Sequence, residues 1–299
     1  MRKIIALGKC GLDILMEGNT PVASFPGGRI LNAAASLGRL GMDVTMVGEC
    51  ARDSVGDIIV SFLEECGVNT RSIDRYTEGV TPVSLIFRSE GRHTSTVAYD
   101  RYPAEGFDVV WPRIDADDIV IFGSYFALDS RIRPRLLEIL NYAAERKAII
   151  IYVPGFSQSE VPRITKVMPA ILENFELADL VVTRSRDLKN IYNTEDSAVA
   201  YNQHISFYCR TMLNLDFDGR KMILYNGAET DEIDVAPSTN SLGWNAGAIA
   251  GVAEAIINRQ LLRTSLERLD RPSRCEILSN AKSRAAEAAA SPRNIIILK

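Results

Sequence analysis

Histidine is nearly absent from this sequence: His93 and His204 are the only two in 299 residues. A metal site built on imidazoles, or a serine nucleophile activated by histidine, therefore has little to draw on. The five cysteines, Cys10, Cys50, Cys66, Cys209 and Cys275, are odd in number, scattered, and nowhere in C-x-x-C spacing. That argues against a disulfide framework and against a cysteine zinc site. They are expected to be reduced, mostly buried, small apolar side chains of a cytoplasmic protein. No stretch approaches the ~20 apolar residues of a membrane span. The opening MRKIIALGKCGLDILMEG runs into glycines and an aspartate instead of a small-residue cleavage site. It reads as a first β-strand, not a signal peptide. Positive charge is also short, with 34 Lys and Arg against 38 Asp and Glu for a net −4. A nucleic-acid binder usually shows the opposite balance, whereas an anionic small ligand needs only a local site.

What is present is a normal globular composition, 46% hydrophobic and 24% charged, enough for a sizeable core. The length alone fits either two ordinary domains or one large α/β domain. Short apolar or β-branched runs at 3–7, 44–47, 119–122, 148–153, 180–183 and 222–225 read as strands. Helical patterns fall at 31–40, 55–66, 133–146, 161–175, 197–212 and 246–258, the first two ending at Gly41 and Gly67, which is a C-cap signal. Continuous apolar strands separated by helices imply a parallel sheet covered on both faces. The segment 81–99 differs, because Val83, Leu85 and Phe87, then Thr94, Thr96 and Ala98, alternate on either side of Gly91. It reads as a hairpin with one exposed face, as a lid would have. The Arg-, Glu- and Ser-rich stretch 259–274 reads as a solvated helix and loop.

Gly27-Gly28-Arg29-Ile30-Leu31-Asn32 opens a helical pattern that closes with Arg39-Leu40-Gly41. Paired glycines let backbone approach a ligand closely, the helix start supplies free amides, and an Asn side chain suits neighbouring sugar hydroxyls. Upstream, Asp13 stands just past the first strand, where open α/β sheets bind ligands. Downstream lies Val47-Gly48-Glu49-Cys50-Ala51-Arg52-Asp53-Ser54-Val55-Gly56. In order and spacing these stretches resemble the first signature of the ribokinase/PfkB family of sugar kinases and its VGxxGxDxxG segment, with Ala51 in place of one glycine. The resemblance implies an α/β fold, a three-layer ribokinase-like sandwich with a mostly parallel sheet and a small β lid. It implies one such domain over 1–299, with lid strands from about 12–20 and 81–101. By the same resemblance Asp13, Gly27, Gly28 and Asn32 hold substrate hydroxyls. Arg101, after the lid, is a further candidate for substrate or phosphate, or else a surface arginine.

The family's second signature, approximately DTxGAGD, aligns with Asn240-Ser241-Leu242-Gly243-Trp244-Asn245-Ala246, and the family's downstream Ala-Gly pair falls without a gap on Ala250-Gly251. In the family the Gly-Ala-Gly amides form an anion hole at a helix N-terminus and the final Asp takes the proton from the sugar hydroxyl. Here Gly243, Trp244 and Asn245 occupy the anion hole, Ala246 the base position, and Trp244 is expected to crowd the amides. Alanine accepts no proton, and Asn245 has no useful basicity if the register slides by one. On the nucleotide side the resemblance assigns Arg184, Asp187, Gly243 and Asn280. Asp187 keeps a carboxylate as the candidate metal contact, and Arg184 stands where the family has asparagine. Tyr152-Val153-Pro154-Gly155 lacks the Asp and Asn common at that strand end. Asn214-Leu215-Asp216 or Tyr225-Asn226-Gly227 occupies the place of the adenine-side turn.

Three expectations follow. The family reaction is ATP- and Mg²⁺-dependent phosphorylation of a sugar or nucleoside hydroxymethyl group, here impaired by Ala246. The alternative is a non-catalytic protein that binds a sugar-like ligand and acts as a sensor or regulatory partner. A purely structural module would leave Asp13 and Asn32 unexplained. The resemblance also implies a homodimer through the lid, while the charge balance and the lack of a long apolar run argue against a nucleic-acid or membrane partner.

Overall fold

The structure is a computed structural model and describes residues 2–89, 92–104 and 106–297. The chain begins with β1 (Lys3–Leu7), β2 (Gly11–Glu17), β3 (Thr20–Gly27), α1 (Arg29–Arg39), β4 (Asp43–Ala51) and α2 (Ser54–Glu65). Next come β5 (Val68–Tyr76), β6 (Val80–Ser89), β7 (Arg92–Arg101), β8 (Ile119–Gly123), α3 (Arg133–Glu145) and β9 (Ile149–Val153). The middle continues with α4 (Ile164–Leu177), β10 (Leu180–Arg184), α5 (Ser185–Tyr192) and α6 (Ser197–Ala200). The last third holds β11 (Thr211–Asp216), β12 (Lys221–Asn226), β13 (Glu229–Asp234), α7 (Ser241–Asn258), α8 (Arg263–Glu267) and α9 (Arg271–Ala290).

Nine strands form one sheet in the order β13-β12-β11-β10-β9-β8-β1-β4-β5. From β11 to β5 every pairing is parallel; β12 and β13 are antiparallel additions. Strand alternation explains the layers. Ile4, Ala6, Ile119, Ile121, Ile149 and Ile151 face one core with α1, α2, α7 and α9. Ile5, Leu7, Val120, Phe122, Ile150 and Tyr152 face the other, with α3 and α4. The expected three-layer α/β sandwich with a mostly parallel sheet is therefore present.

A second, four-stranded sheet in the order β3-β2-β6-β7 forms the lid. Its hairpin pairs Val83 with Tyr99 and Leu85 with Val97, the alternation legible in the sequence; Gly91 lies outside the described residues. Asp53 fastens the lid to the main sheet. Its carboxylate caps α2 at Gly56 N (2.8 Å) and accepts from Thr81 N (2.9 Å) and Thr81 Oγ1 (2.6 Å) at the start of β6.

Two expectations need correction. The helix read at 197–212 is α6 and a single π turn (Tyr201–Ile205), after which β11 begins at Thr211. Tyr201, Ile205, Cys209 and Met212 are all buried. Their spacing mimics one helical face although Met212 belongs to a central strand, and periodicity alone does not separate the two. The stretch 259–274 is not solvated throughout, because Leu261, Leu266 and Leu269 are buried. Arg274 is only 6% exposed, and it binds Asp231 (2.5 Å) and the Leu269 carbonyl (2.8 Å). Among the described residues no helix is long and apolar enough to cross a membrane.

Helix α7 packs antiparallel on α9 at backbone distance. A Cβ added at Gly243 would lie 2.4 Å from the Ala288 carbonyl oxygen, at Gly247 2.1 Å from that of Arg284, and at Gly251 2.4 Å from that of Asn280. Gly247→Val is expected to destabilise the protein by about 1–3 kcal/mol or more in urea unfolding. A neutral effect would show that the two helices separate without cost.

Candidate ligand-binding site

Chain order diverges on either side of β1, toward β4 and β5 one way and toward β8 to β11 the other. Open α/β sheets bind ligands at such a point, beyond the carboxyl ends of the strands. A cavity of about 220 Å³ lies there, small beside the usual range for drug-sized ligands. Its wall combines lid and sandwich. The lid gives Asp13, Gly27, Ser84 and Thr96, the strand ends give Lys9, Ser124 and Arg184, and the helices give Gly28, Arg29, Asn32, Leu242 and Asn245.

Asp13 comes into the cavity because β2 turns up from the end of β1. Gly27 makes room for it, since a Cβ at Gly27 would lie 2.1 Å from the Asp13 carboxyl carbon. Gly28, at φ +132°, has the Lys9 carbonyl oxygen 2.4 Å from where a Cβ would stand. Only glycine accepts that backbone and that approach. Burial pushes the Asp13 carboxyl up to about 6, against the pull of the Lys9 ammonium and the Ser84 hydroxyl. Helix α1 starts at once, with no side-chain cap on its first amides. One turn in, Asn32 is buried with its Oδ1 lacking a protein partner.

The second signature lies differently from expectation. Helix α7 begins at Ser241, so residues 243–246 are inside it. Asn240 Oδ1 accepts from Gly243 N (3.2 Å) and the Asn240 carbonyl from Trp244 N (3.1 Å). The amides expected to form an anion hole are therefore already bonded. Trp244 does not crowd the cavity; it is buried against Phe217, edge-on at 5.3 Å. Ala246 has no exposed surface and lies in the core. Beside Leu242, the polar residue of α7 that reaches the cavity is Asn245. Its Nδ2 donates to the Ser241 carbonyl (2.6 Å) and its Oδ1 is left without a partner.

Asp187, in the first turn of α5, is completely buried. Its Oδ2 accepts from Arg184 Nε (2.8 Å) and Arg29 Nη1 (3.4 Å), and Oδ1 from Arg184 Nη2. Burial alone would push its pKa up; the charges of Arg184 and Arg29 outweigh that and hold it below the usual carboxylate range. Mg²⁺ keeps several waters and binds carboxylate oxygens that face them. A dry carboxylate with both oxygens taken by guanidinium does not fit that role. Among the described residues no three His, Cys, Asp or Glu side chains come together as a cation site.

The other assigned residues lie elsewhere. Arg101 is exposed at the end of β7 and does not line the cavity. Asn280 is on α9, its carbonyl against Gly251, two helical turns from Gly243. Asn214 sits within β11 and donates to Ser185 Oγ (3.1 Å). Asn226 clamps Thr211 and the Leu266 carbonyl, a purely structural use. Lys9, Arg29, Ser84 and Ser124 were not singled out from sequence. Lys9 and Ser124 follow strand ends that were legible, and Arg29 is a variable position inside the first signature, where type alone signals nothing.

Two outcomes follow. Because the native state holds the Asp13 proton more tightly than the unfolded chain, that contribution to stability is full in acid and disappears as pH rises through about 6. Asp13→Asn should thus be more stable than wild type at pH 7.5, with the gap closing toward pH 4; a gap that does not change with pH would contradict it. Asp187→Asn, assayed in EDTA, should cost about 3–5 kcal/mol by leaving two buried guanidinium groups short of their partner. A stabilised variant would mean that the carboxylate is idle and repulsive without a metal.

Solved structures share this architecture at low identity. Aminoimidazole riboside kinase from Salmonella enterica, complexed with aminoimidazole riboside and an ATP analog, superposes with a TM-score of 0.78 at 15% identity, covering 97% of this chain and 94% of its own. A fructokinase double mutant from Vibrio cholerae O395, with fructose, ADP and potassium bound, gives 0.80 at 13%, covering 99% and 94%. Fructokinase from Xylella fastidiosa with bound ATP gives 0.77 at 19%, covering 99% and 95%. No curated protein matches the chain in sequence. The family model of the pfkB family carbohydrate kinases matches residues 12–207, about two thirds of the length, and the chain belongs to that family.

Proposed function

We propose that this protein binds a compact sugar-like ligand, a sugar or nucleoside, in the cavity under the lid, and that its phosphoryl transfer is suppressed. One observation carries the reading: α7 presents Asn245, an amide and not a carboxylate, to the cavity, while Ala246, which aligns with the family's proton acceptor, is sealed in the core. General-base catalysis is worth ~10²–10⁴-fold in rate, roughly 3–5 kcal/mol of barrier. The capped amides of Gly243 and Trp244 and the ion-paired Asp187 act in the same direction on the ATP side. On the other side, Asp13 and Asn32 converge with room between them, and the solved relatives hold fructose or aminoimidazole riboside. The intact first signature equally favours a working kinase, and turnover separates the two readings.

The test is a panel of sugars and nucleosides, read first as thermal midpoint and then as phosphorylation with ATP and Mg²⁺. Some members should raise the midpoint, and turnover should fall at least ~10²-fold below the ~1–100 s⁻¹ of ordinary kinases. Turnover within that range sinks the suppressed reading, and a flat midpoint across the panel sinks ligand binding. Asn245→Asp, which puts a carboxylate in the cavity, should raise any residual transfer by ~10²-fold or more. Ala246→Asp should instead destabilise, because it buries an unpaired charge.

A further inference from the structure

The cavity carries more positive groups than a neutral sugar needs. Lys9, Arg29 and Arg184 all line it. Lys9 makes no ion pair or hydrogen bond through its ammonium among the described residues. Among the described residues the Arg29 guanidinium has one hydrogen-bond partner, Asp187 at 3.4 Å, which leaves most of its five N–H groups free of hydrogen bonds to protein. The nearby carboxylates do little to compensate. Asp187 already serves two guanidinium groups. Glu160, close to Arg29, accepts from Ser157 N at 2.5 Å. Asp13 stands beyond Lys9, desolvated and easily protonated. Crowding shows on Arg29 itself, which burial, and next the Arg184 charge, bring down to about 10.

Two further features of the cavity point to a ligand. The first-turn amides of α1 carry no side-chain cap, unlike those of α7, and a helix start with free amides favours an anion. Asn32 and Asn245, 4% and 3% exposed, both line the cavity, and each has an Oδ1 without a protein partner. Such buried acceptors are normally satisfied, and ligand hydroxyls would satisfy them.

We propose that the cavity takes a polyhydroxylated ligand bearing an oxyanion, a phosphate or a carboxylate, which Lys9, Arg29 and Arg184 hold without a divalent cation. Asn32, Asn245 and Asp13 take the hydroxyls; the cations take the anion. The proposal rests on the ligand-binding reading above and narrows it. It also gives the missing metal carboxylate a physical counterpart, because guanidinium groups neutralise an oxyanion where Mg²⁺ has no free carboxylate to join.

Matched pairs test it by calorimetry in EDTA and again with Mg²⁺: ribose with ribose 5-phosphate, fructose with fructose 6-phosphate, and glucose with gluconate. Inorganic phosphate alone serves as the anion probe. In at least one pair the anionic member should bind roughly tenfold or more tighter than its neutral partner, as for a charge-assisted hydrogen bond. The advantage should survive EDTA and shrink with added salt, and whether phosphate or carboxylate wins identifies the anion. Lys9→Met removes an ammonium with no hydrogen bond or ion pair among the described residues, so the folded variant should lose most of that ratio; Arg29→Gln should lose it too. If neutral sugars bind as tightly as their anionic partners, or if anion binding needs Mg²⁺, the anion proposal falls while ligand binding stands. If neither member of any pair binds, both fall.

Discussion

A carboxylate with no exposed surface is costly unless its charge is met, and Asp187 meets that condition through two guanidinium groups from different parts of the chain. Arg184 ends β10, Asp187 lies one turn into α5, and Arg29 opens α1. The ion pair therefore ties the β10 side of the sheet to the start of the helix that follows the paired glycines. Removing one partner from such a cluster costs far more than the cluster itself contributes, so its three members constrain one another strongly. That constraint holds Arg29 at the cavity wall and turns the Asp187 carboxylate inward. Asp187 cannot serve both as counter-ion to the arginines and as an open metal ligand.

Helix α7 shows a similar exchange of roles. The glycine of the second signature, Gly243, faces α9, where a side chain would strike the Ala288 carbonyl. Repeated at Gly247 and Gly251, the pattern lets the two helix backbones come together. With α7 starting at Ser241 under the Asn240 cap, the amides at 243 and 244 are bonded, and the helix face turned to the cavity carries Leu242 and Asn245. The bonding of these two amides is thus a consequence of where this helix begins.

The half of the site built from short-range signals was legible in the sequence. Asp13, Gly27, Gly28 and Asn32 line one cavity, and their spacing announced it because each acts through local backbone: a strand end, a close approach, a helix start. The parallel sheet and the lid hairpin were legible for the same reason, from continuous and alternating apolar runs. What could not be read depends on distant partners. No local pattern says that Arg184 and Asp187 bind each other and Arg29, 158 residues away in the last case. Nor does any say that Gly243 will serve packing against a helix forty residues on, or that Met212 lies in a strand rather than on the helical face its spacing mimics.

Polar groups left without partners around a cavity are costly to a fold. A protein using this region only for packing would fill it with apolar side chains or pair its polar atoms. Instead, two nearly buried asparagines leave acceptors unmet, each a penalty of about 1–3 kcal/mol. A glycine is spent to admit the Asp13 carboxyl, and an unpaired ammonium stands beside it. These penalties come from four separate elements, β2, α1, α7 and the end of β1, and all fall on the same 220 Å³. A solute with several hydroxyls and a negative charge would relieve them together, whereas water would have to be ordered at each one separately.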